Sequence, residues 1–171
     1  LFITAFRLAL KSYTASEHAV FTTIYNGRSD SRLTDSVTML VKTLPVYLEC
    51  PPEGEVAEVI EDCQTFLLSA MANDIYSFAE ISNAYDIRAD IMLVFQGEYI
   101  HAERIGGEIA KLQEIGSSRA MSGISIDVCL DGSKVIYERD YDPSQYSDYT
   151  VKGLVRMMDI ITGEFLSRDR L

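Results

Sequence analysis

Apolar residues recur at helical spacing from the first positions of the chain. Phe2, Ala5, Phe6, Ala9, Leu10 and Tyr13 share one face, with Arg7 and Lys11 turned away from it, which predicts a helix over 2–13. The β-branched and aromatic run AVFTTIYN (19–26) predicts a strand that ends at the turn dipeptide Asn26-Gly27. The polar stretch Arg28–Thr34 reads as a loop. VTMLVKTLPVYL (37–48) reads as a second strand, which Pro45 forces to bulge, bend or lie at an edge because proline has no N–H to donate. A connector at Cys50–Gly54 then leads from Glu55 into a long helix. Its apolar stripe is Val56, Val59, Ile60, Cys63, Phe66, Leu67, Ala70 and Met71, its other side carries Glu55, Glu58, Glu61 and Asp62, and it stops at Asn73-Asp74.

A short helix over 77–85 follows, with Ser77 as N-cap and Glu80 completing a capping box. IMLVFQG (91–97) is apolar on both faces, as expected of a central strand covered on both sides. Residues 102–115 carry a weak amphipathic pattern interrupted by Gly106-Gly107 and are expected to be irregular. Strict alternation of Ile124, Ile126, Val128 and Leu130 with Ser125, Asp127 and Cys129, then Asp131-Gly132, then KVIYERDY (134–141), predicts a β-hairpin. Ser147 caps a last helix whose face is Val151, Leu154, Val155, Met158, Ile161 and Phe165, and the tail SRDRL reads as the start of a linker. Single strands separated by helices, plus one hairpin, predict an α/β fold with a mixed sheet packed by helices.

Charge removes whole classes of function. Lys+Arg number 15 against 26 Asp+Glu, a formal net charge of −11, which repels a phosphate backbone, so no nucleic-acid partner is expected. No apolar run approaches the roughly 18 residues of a membrane span, and Arg7 and Lys11 interrupt the one stretch that could pass for a signal peptide. Three scattered cysteines, Cys50, Cys63 and Cys129, form no disulfide framework or CxxC site and fit a reducing cytoplasm. His18, in a polar setting, and His101 are the two histidines, and no HExxH or GxSxG motif occurs, so no metal or catalytic residue is assigned. The Asp/Tyr-rich stretch 137–149 lacks the DxDxDG spacing of a calcium loop. With no initiator Met and a helical pattern from the first residue, the 171 residues read as a piece of a longer chain.

Four segments in order resemble the C-terminal lobe of nonribosomal peptide synthetase condensation domains. AVFTTIYNGR (19–28) is similar to a family strand that ends in a Gly-Arg pair. VTMLVKTLPV (37–46) is similar to the motif (I/V)GxFVNTxP, with Thr38 at its Gly, Leu40 at its Phe and Lys42 at its Asn. AMANDIYSFAEI (70–81) resembles the HQD-(Y/V)-PFE region, with Ala72 at the His, Asn73 and Asp74 following, and one extra residue before Phe78. The hairpin and the Ser147 helix resemble the family's closing pattern. The HHxxxDG signature, whose second His the family uses at the amine-attack step, belongs to the N-terminal lobe and has no counterpart here.

The resemblance implies a chloramphenicol acetyltransferase-like lobe over 1–171 that is inactive alone and forms one wall of a substrate tunnel. It implies crossings to the partner lobe at Ser29–Val41 and within Gly97–Gly123. Gly27, Arg28, Thr38, Leu40, Lys42, Asn73 and Asp74 are the residues it assigns to the tunnel or the lobe interface. No cofactor is bound directly and the domain needs neither ATP nor a metal; the substrates ride on phosphopantetheine arms of peptidyl carrier proteins. The other partners it implies are the N-terminal lobe and an adjacent adenylation domain. Carrier proteins are generally acidic, so the resemblance directs docking to apolar residues and the few Arg/Lys rather than to acidic faces.

Plainer readings stand beside each assignment. Gly27-Arg28 is a turn with a surface ion pair, or Arg28 binds loop carbonyls or acids and keeps the first crossing ordered. Lys42 faces solvent, or it faces the tunnel and touches pantetheine or acyl chain. Asn73-Asp74 is a helix C-terminal turn or part of the site. At the level of function, amide formation between carrier-bound thioesters competes with a noncatalytic condensation-like scaffold, and with an acyltransferase that uses free coenzyme A. A lobe without its partner exposes apolar wall and is expected to self-associate.

Overall fold

The computed structural model describes residues 1–28, 30–33, 35–50, 55–98, 102–111 and 122–167. Helix α1 (Phe2–Thr14) ends where Ala15 turns left-handed and its N–H caps the Lys11 carbonyl at 2.9 Å. Strand β1 (His18–Tyr25) is followed by a loop holding one 3-10 turn (Ser31–Leu33), then by β2 (Lys42–Glu49). Helices α2 (Val56–Ala72) and α3 (Phe78–Tyr85) lead to β3 (Ile91–Glu98). A ribbon of β4 (Ala102–Ile105) and β5 (Glu108–Lys111), the hairpin β6 (Ile124–Asp131) and β7 (Lys134–Tyr141), and α4 (Asp148–Ser167) complete the order.

Five strands form one mixed sheet in the order β2-β1-β3-β6-β7, antiparallel at both edges and parallel at β1/β3 and β3/β6. The two parallel pairs require crossovers, and α2–α3 supplies the first. The register places Phe21, Val46, Leu93, Ile126 and Val128 on one face, and all belong to the core with Phe6, Ala9, Cys63, Leu154, Met158 and Phe165 from α1, α2 and α4. Phe6 meets Phe21 edge to face at a centroid distance of 5.0 Å. The other face carries Val20 and Tyr47, then Met92 and Val94, then Ser125, Asp127, Glu138 and Asp140, so it runs from apolar to acidic across the sheet. None of these residues joins that core, and Val20 and Tyr47 are 36% and 52% exposed.

Several expectations need correction. Residues 37–41 are not strand: β1 ends at Tyr25, opposite Lys42, so the ladder offers no partner for the five residues before Lys42. Arg7 does not face solvent; α1 packs against α2 and α4 as well as the sheet, leaving Arg7 3% exposed with its Nη1 donating to Cys63 Sγ at 3.3 Å. Lys11 likewise turns inward and donates from Nζ to the Cys50 carbonyl at 3.0 Å. Within the irregular 102–115 stretch, 102–111 is an antiparallel ribbon turning at Gly106-Gly107, both at positive φ (61° and 91°), as a tight hairpin demands. Strand β3 is central in hydrogen bonding, with Leu93 and Val94 buried on its two faces as expected; the cover thins toward its end, where Phe95 is 55% exposed although it stacks on Phe2. His18 opens β1 rather than lying in a loop, and its ring stacks on Tyr47 at 5.1 Å. His101, most of the Cys50–Gly54 connector, residues 112–115 and the tail after Ser167 lie outside the described residues.

Candidate functional site

At the end of β1 the chain makes a close turn that only glycine fits. Gly27 has φ +66°, and a Cβ there would overlap the Leu40 carbonyl oxygen, so the two ends of the 26–41 loop touch at this point. Arg28 follows and fills the loop with its guanidinium. Nη1 donates to the carbonyls of Leu33 at 2.7 Å and Ser36 at 3.0 Å, and Nη2 to that of Thr38 at 2.8 Å. Its own N–H donates to Asn26 Oδ1 at 3.0 Å. A planar guanidinium reaches several oxygens at once, so one side chain fixes three points of the loop. Of the readings weighed for Arg28, the contacts are those to loop carbonyls, and among the described residues it makes no ion pair. Further along, the Asp30 carboxylate takes Arg32 Nε at 3.0 Å, and these bonds hold the Asp30 carboxyl below the usual carboxylate range.

Lys42 begins β2 and reaches the end of α2. Its Nζ donates to the Asp74 carbonyl at 2.6 Å and lies 3.1 Å from Asp74 Oδ2. Asn73 is the C-cap of α2, with its amide donating to the Ser69 carbonyl at 2.8 Å. Four residues after Asn73, Ser77 and Glu80 form the expected capping box: the Glu80 N–H donates to Ser77 Oγ at 3.3 Å and the Ser77 N–H to Glu80 Oε2 at 2.8 Å. Gly27, Arg28, Thr38, Leu40, Lys42, Asn73 and Asp74 are thereby brought to one end of the sheet. Thr38 takes part through its backbone carbonyl and Leu40 through its carbonyl against Gly27, rather than by their side chains.

The pinned loop turns apolar side chains outward. Val37 and Met39 are 104% and 87% exposed, Val41 is exposed, and so are Ile75 and Tyr76 just beyond Asp74. The sequence pattern reads Val37, Met39 and Val41 as strand and leaves Ile75 and Tyr76 between two helices, without revealing that they stay uncovered. A second polar group went unnoticed in the sequence, on the sheet face away from the core: Gln96 Nε2 donates to Asp127 Oδ1 at 2.6 Å, and the nearby Cys129 thiol is pushed up by burial and by Glu138 and Asp127. Cross-sheet register was the missing information, because Gln96 and Asp127 are 31 positions apart. Among the described residues no group of three or more His, Cys, Asp or Glu could hold a metal ion, and no helix is long and apolar enough to cross a membrane.

The fold and this cluster can be set against known proteins. The sequence profile of the Condensation domain family matches residues 1–167. No curated protein matches the sequence. The first condensation domain of the calcium-dependent antibiotic synthetase, solved with a substrate analogue, is similar at TM-score 0.77 and 16% identity over 99% of this chain and 38% of that one. The epimerization domain from the third module of tyrocidine synthetase B gives 0.70 and 16% over 95% of this chain and 40% of that one. Holo-AB3403, a four-domain nonribosomal peptide synthetase bound to AMP and glycine, gives 0.79 and 12% over 99% of this chain and 15% of that one. The chain thus spans about two fifths of the first two domains' length. At such identities these likenesses establish the mixed α/β, chloramphenicol acetyltransferase-like architecture. With residues 1–167 matched end to end by one profile, the chain belongs to the condensation-domain family.

Proposed function

We propose that residues 1–171 are the C-terminal lobe of a nonribosomal peptide synthetase condensation domain, and that the lobe acts only together with an N-terminal partner lobe. The observation that carries this reading is the profile match over 1–167 in a chain spanning about two fifths of the condensation and epimerization domains it resembles. The parent domain joins an acyl or peptidyl thioester to an aminoacyl thioester: the amine nitrogen attacks the thioester carbonyl, the C–N bond forms, and the donor's thiol leaves. Both thioesters hang on phosphopantetheine arms of peptidyl carrier proteins, and an adenylation domain lies alongside. The partner lobe supplies the histidines. This lobe supplies a tunnel wall, a reading supported by the sheet face that stays out of the core, and a crossing at Ser29–Val41, supported by the outward Val37, Met39 and Val41. A second crossing lies within Gly97–Gly123.

Rate in such a reaction depends on holding two reactants in register. Arg28 contributes by fixing the loop that meets the partner lobe, so it is a positioning residue. Lys42 stands at the family's Asn position at the start of β2, on the same face of the sheet as Leu44 and Val46, with its ammonium steadied by Asp74 and about two fifths exposed at the edge of the site. A cytoplasmic location belongs to the same reading and rests on three free cysteines.

Amide formation by the complete domain from two loaded carriers tests this. The expected result is turnover in the wild type and a loss of at least about tenfold in Arg28→Ala. Hydrolysis of the donor thioester with no amide product contradicts it. One observation favours a second reading, a noncatalytic scaffold: Lys42 replaces the motif's Asn and both of its contacts are to Asp74, which holds it back from a substrate. A complete domain that binds carriers yet forms no amide supports that alternative.

A further inference from the structure

Asp90 lies between α3 and β3, and three segments of the chain meet at this residue. Its Oδ1 accepts the Gly123 N–H at 2.9 Å and its Oδ2 the Tyr146 hydroxyl at 2.9 Å, while its main-chain carbonyl accepts the Ile124 N–H at 3.0 Å. Only glycine fits opposite the carboxylate, since a Cβ at Gly123 would overlap it. The Gly123 carbonyl in turn accepts the Asp142 N–H at 2.9 Å, and the Asp142 carbonyl accepts the Tyr146 N–H at 3.0 Å. The turn between β7 and α4 is thereby closed onto the point where the chain enters β6. The hydrogen bond to Asp90, with burial, pushes the Tyr146 phenol up, so it stays protonated as the donor at neutral pH.

The β3–β6 ladder does not need this clasp. Its first rung is Ile91 against Ile124, and the side-chain bonds act outside it, on the residue before each strand and on the β7–α4 turn. They fix the direction from which the chain enters β6. Because β1, β3 and β6 are parallel, Asp90 and Gly123 stand at the end of the sheet opposite to the one where Gly27 and Arg28 follow β1. The chain that leaves β3 after Glu98, at the Arg28 end, comes back at the Asp90 end. The two ends are held by complementary chemistry. At one a guanidinium donates to three carbonyls, and at the other a carboxylate accepts an N–H and an O–H.

We propose that Asp90 is a positioning residue for condensation: by fixing where the second crossing rejoins this lobe, it sets the lobe against its partner. The role in condensation rests on the half-site function proposed above; the clasp does not.

The test uses the complete condensation domain that contains this chain, with donor- and acceptor-loaded carriers. Asp90→Ala removes both side-chain bonds. Asp90→Asn keeps both, because its amide oxygen accepts from Gly123 and its Nδ2–H donates to a Tyr146 hydroxyl turned to accept. The expected result is a kcat lowered about tenfold in Asp90→Ala with the KM for each carrier unchanged, and a kcat within about twofold of the wild type in Asp90→Asn. Deuterium uptake over 102–111 and 122–124 is expected to quicken in Asp90→Ala and to match the wild type in Asp90→Asn. A purely structural residue would lower stability in urea and leave the kcat of the folded domain alone. Wild-type kcat in Asp90→Ala, or Asp90→Asn as slow as Asp90→Ala, overturns the inference. Should Asp90→Ala fail to fold, Tyr146→Phe carries the test, since it removes only the bond to Oδ2. Its kcat is expected to fall about threefold with faster uptake over 122–124, and no change in either overturns the inference. Failure of the synthetase function shows differently, as a wild type without amide turnover. Uptake over 102–111 then still decides whether Asp90 holds the crossing, and equal uptake in wild type and Asp90→Ala overturns it.

Discussion

Arg28 commits its guanidinium to three carbonyl oxygens within ten residues of itself, and that geometry makes the site sensitive to a conservative change. Lysine keeps the charge but is a point donor on a flexible stem and cannot span Leu33, Ser36 and Thr38 together. Arg28→Lys is expected to cost about 1–3 kcal/mol, since bonds from a charged donor are lost. It should also speed deuterium uptake across 30–41, by exchange mass spectrometry; wild-type uptake would show that the loop is held by something else. Gly27→Ala meets two obstacles, a left-handed φ and the Leu40 carbonyl, and is expected to cost about 1–3 kcal/mol in urea unfolding. Lys42→Met should change stability by only about 0–1 kcal/mol, because Lys42 and Asp74 are 42% and 28% exposed and solvent screens the pair. A loss of amide turnover in that variant would therefore report on substrate contact rather than on folding.

Among the elements, α3 offers the cleanest test of local coding. Its capping box closes through both reciprocal bonds, and Ser77→Ala is expected to cost about 1 kcal/mol. The Glu80 carboxyl is held below its ordinary value by the Ser77 hydroxyl and N–H, and the unfolded chain lacks these bonds. Its contribution is thus full above the ordinary carboxylate range and is lost as pH falls through the depressed folded value. The stability gap between wild type and Glu80→Gln should be present at neutral pH and vanish in strong acid, measured by urea unfolding at each; a gap independent of pH would contradict the assignment. Elements of this kind were legible because their determinants lie within a few residues. The capping box needed only Ser77 and Glu80, and the β6–β7 hairpin only its alternation and Gly132. The ribbon β4–β5 had a signature too, since AERI and EIAK flank a Gly-Gly pair, but weak apolar content hid the strand period behind a helical one. Residues 37–41 misled by propensity, because a β-rich run becomes strand only where a neighbour can pair with it. The Lys42–Asp74 clasp and the burial of Arg7 depend on chain segments brought together by the fold, 32 and 56 positions apart, and no local pattern carries them.

At the scale of the whole molecule, two features oppose one another. Val37, Met39, Ile75 and Tyr76 are exposed apolar surface of the kind that drives association, while a net charge of −11 holds copies apart. The isolated chain is expected to self-associate, and to do so more strongly as salt screens the repulsion. Sedimentation velocity at low and high ionic strength reads this directly, and a monomer at both would mean that the patch is too small or too divided to bind. On the proposed reading the partner lobe covers this patch, which would tie the stability of the chain to its function. The most direct measurement is reconstitution: this chain and the preceding lobe are produced separately, mixed, and supplied with donor- and acceptor-loaded carriers. Each half is expected to be inactive alone, the mixture to form a stable heterodimer that makes amide, and Arg28→Ala to weaken both assembly and turnover. Amide formation by this chain without the other lobe, or a mixture that neither assembles nor turns over, would contradict the half-site reading.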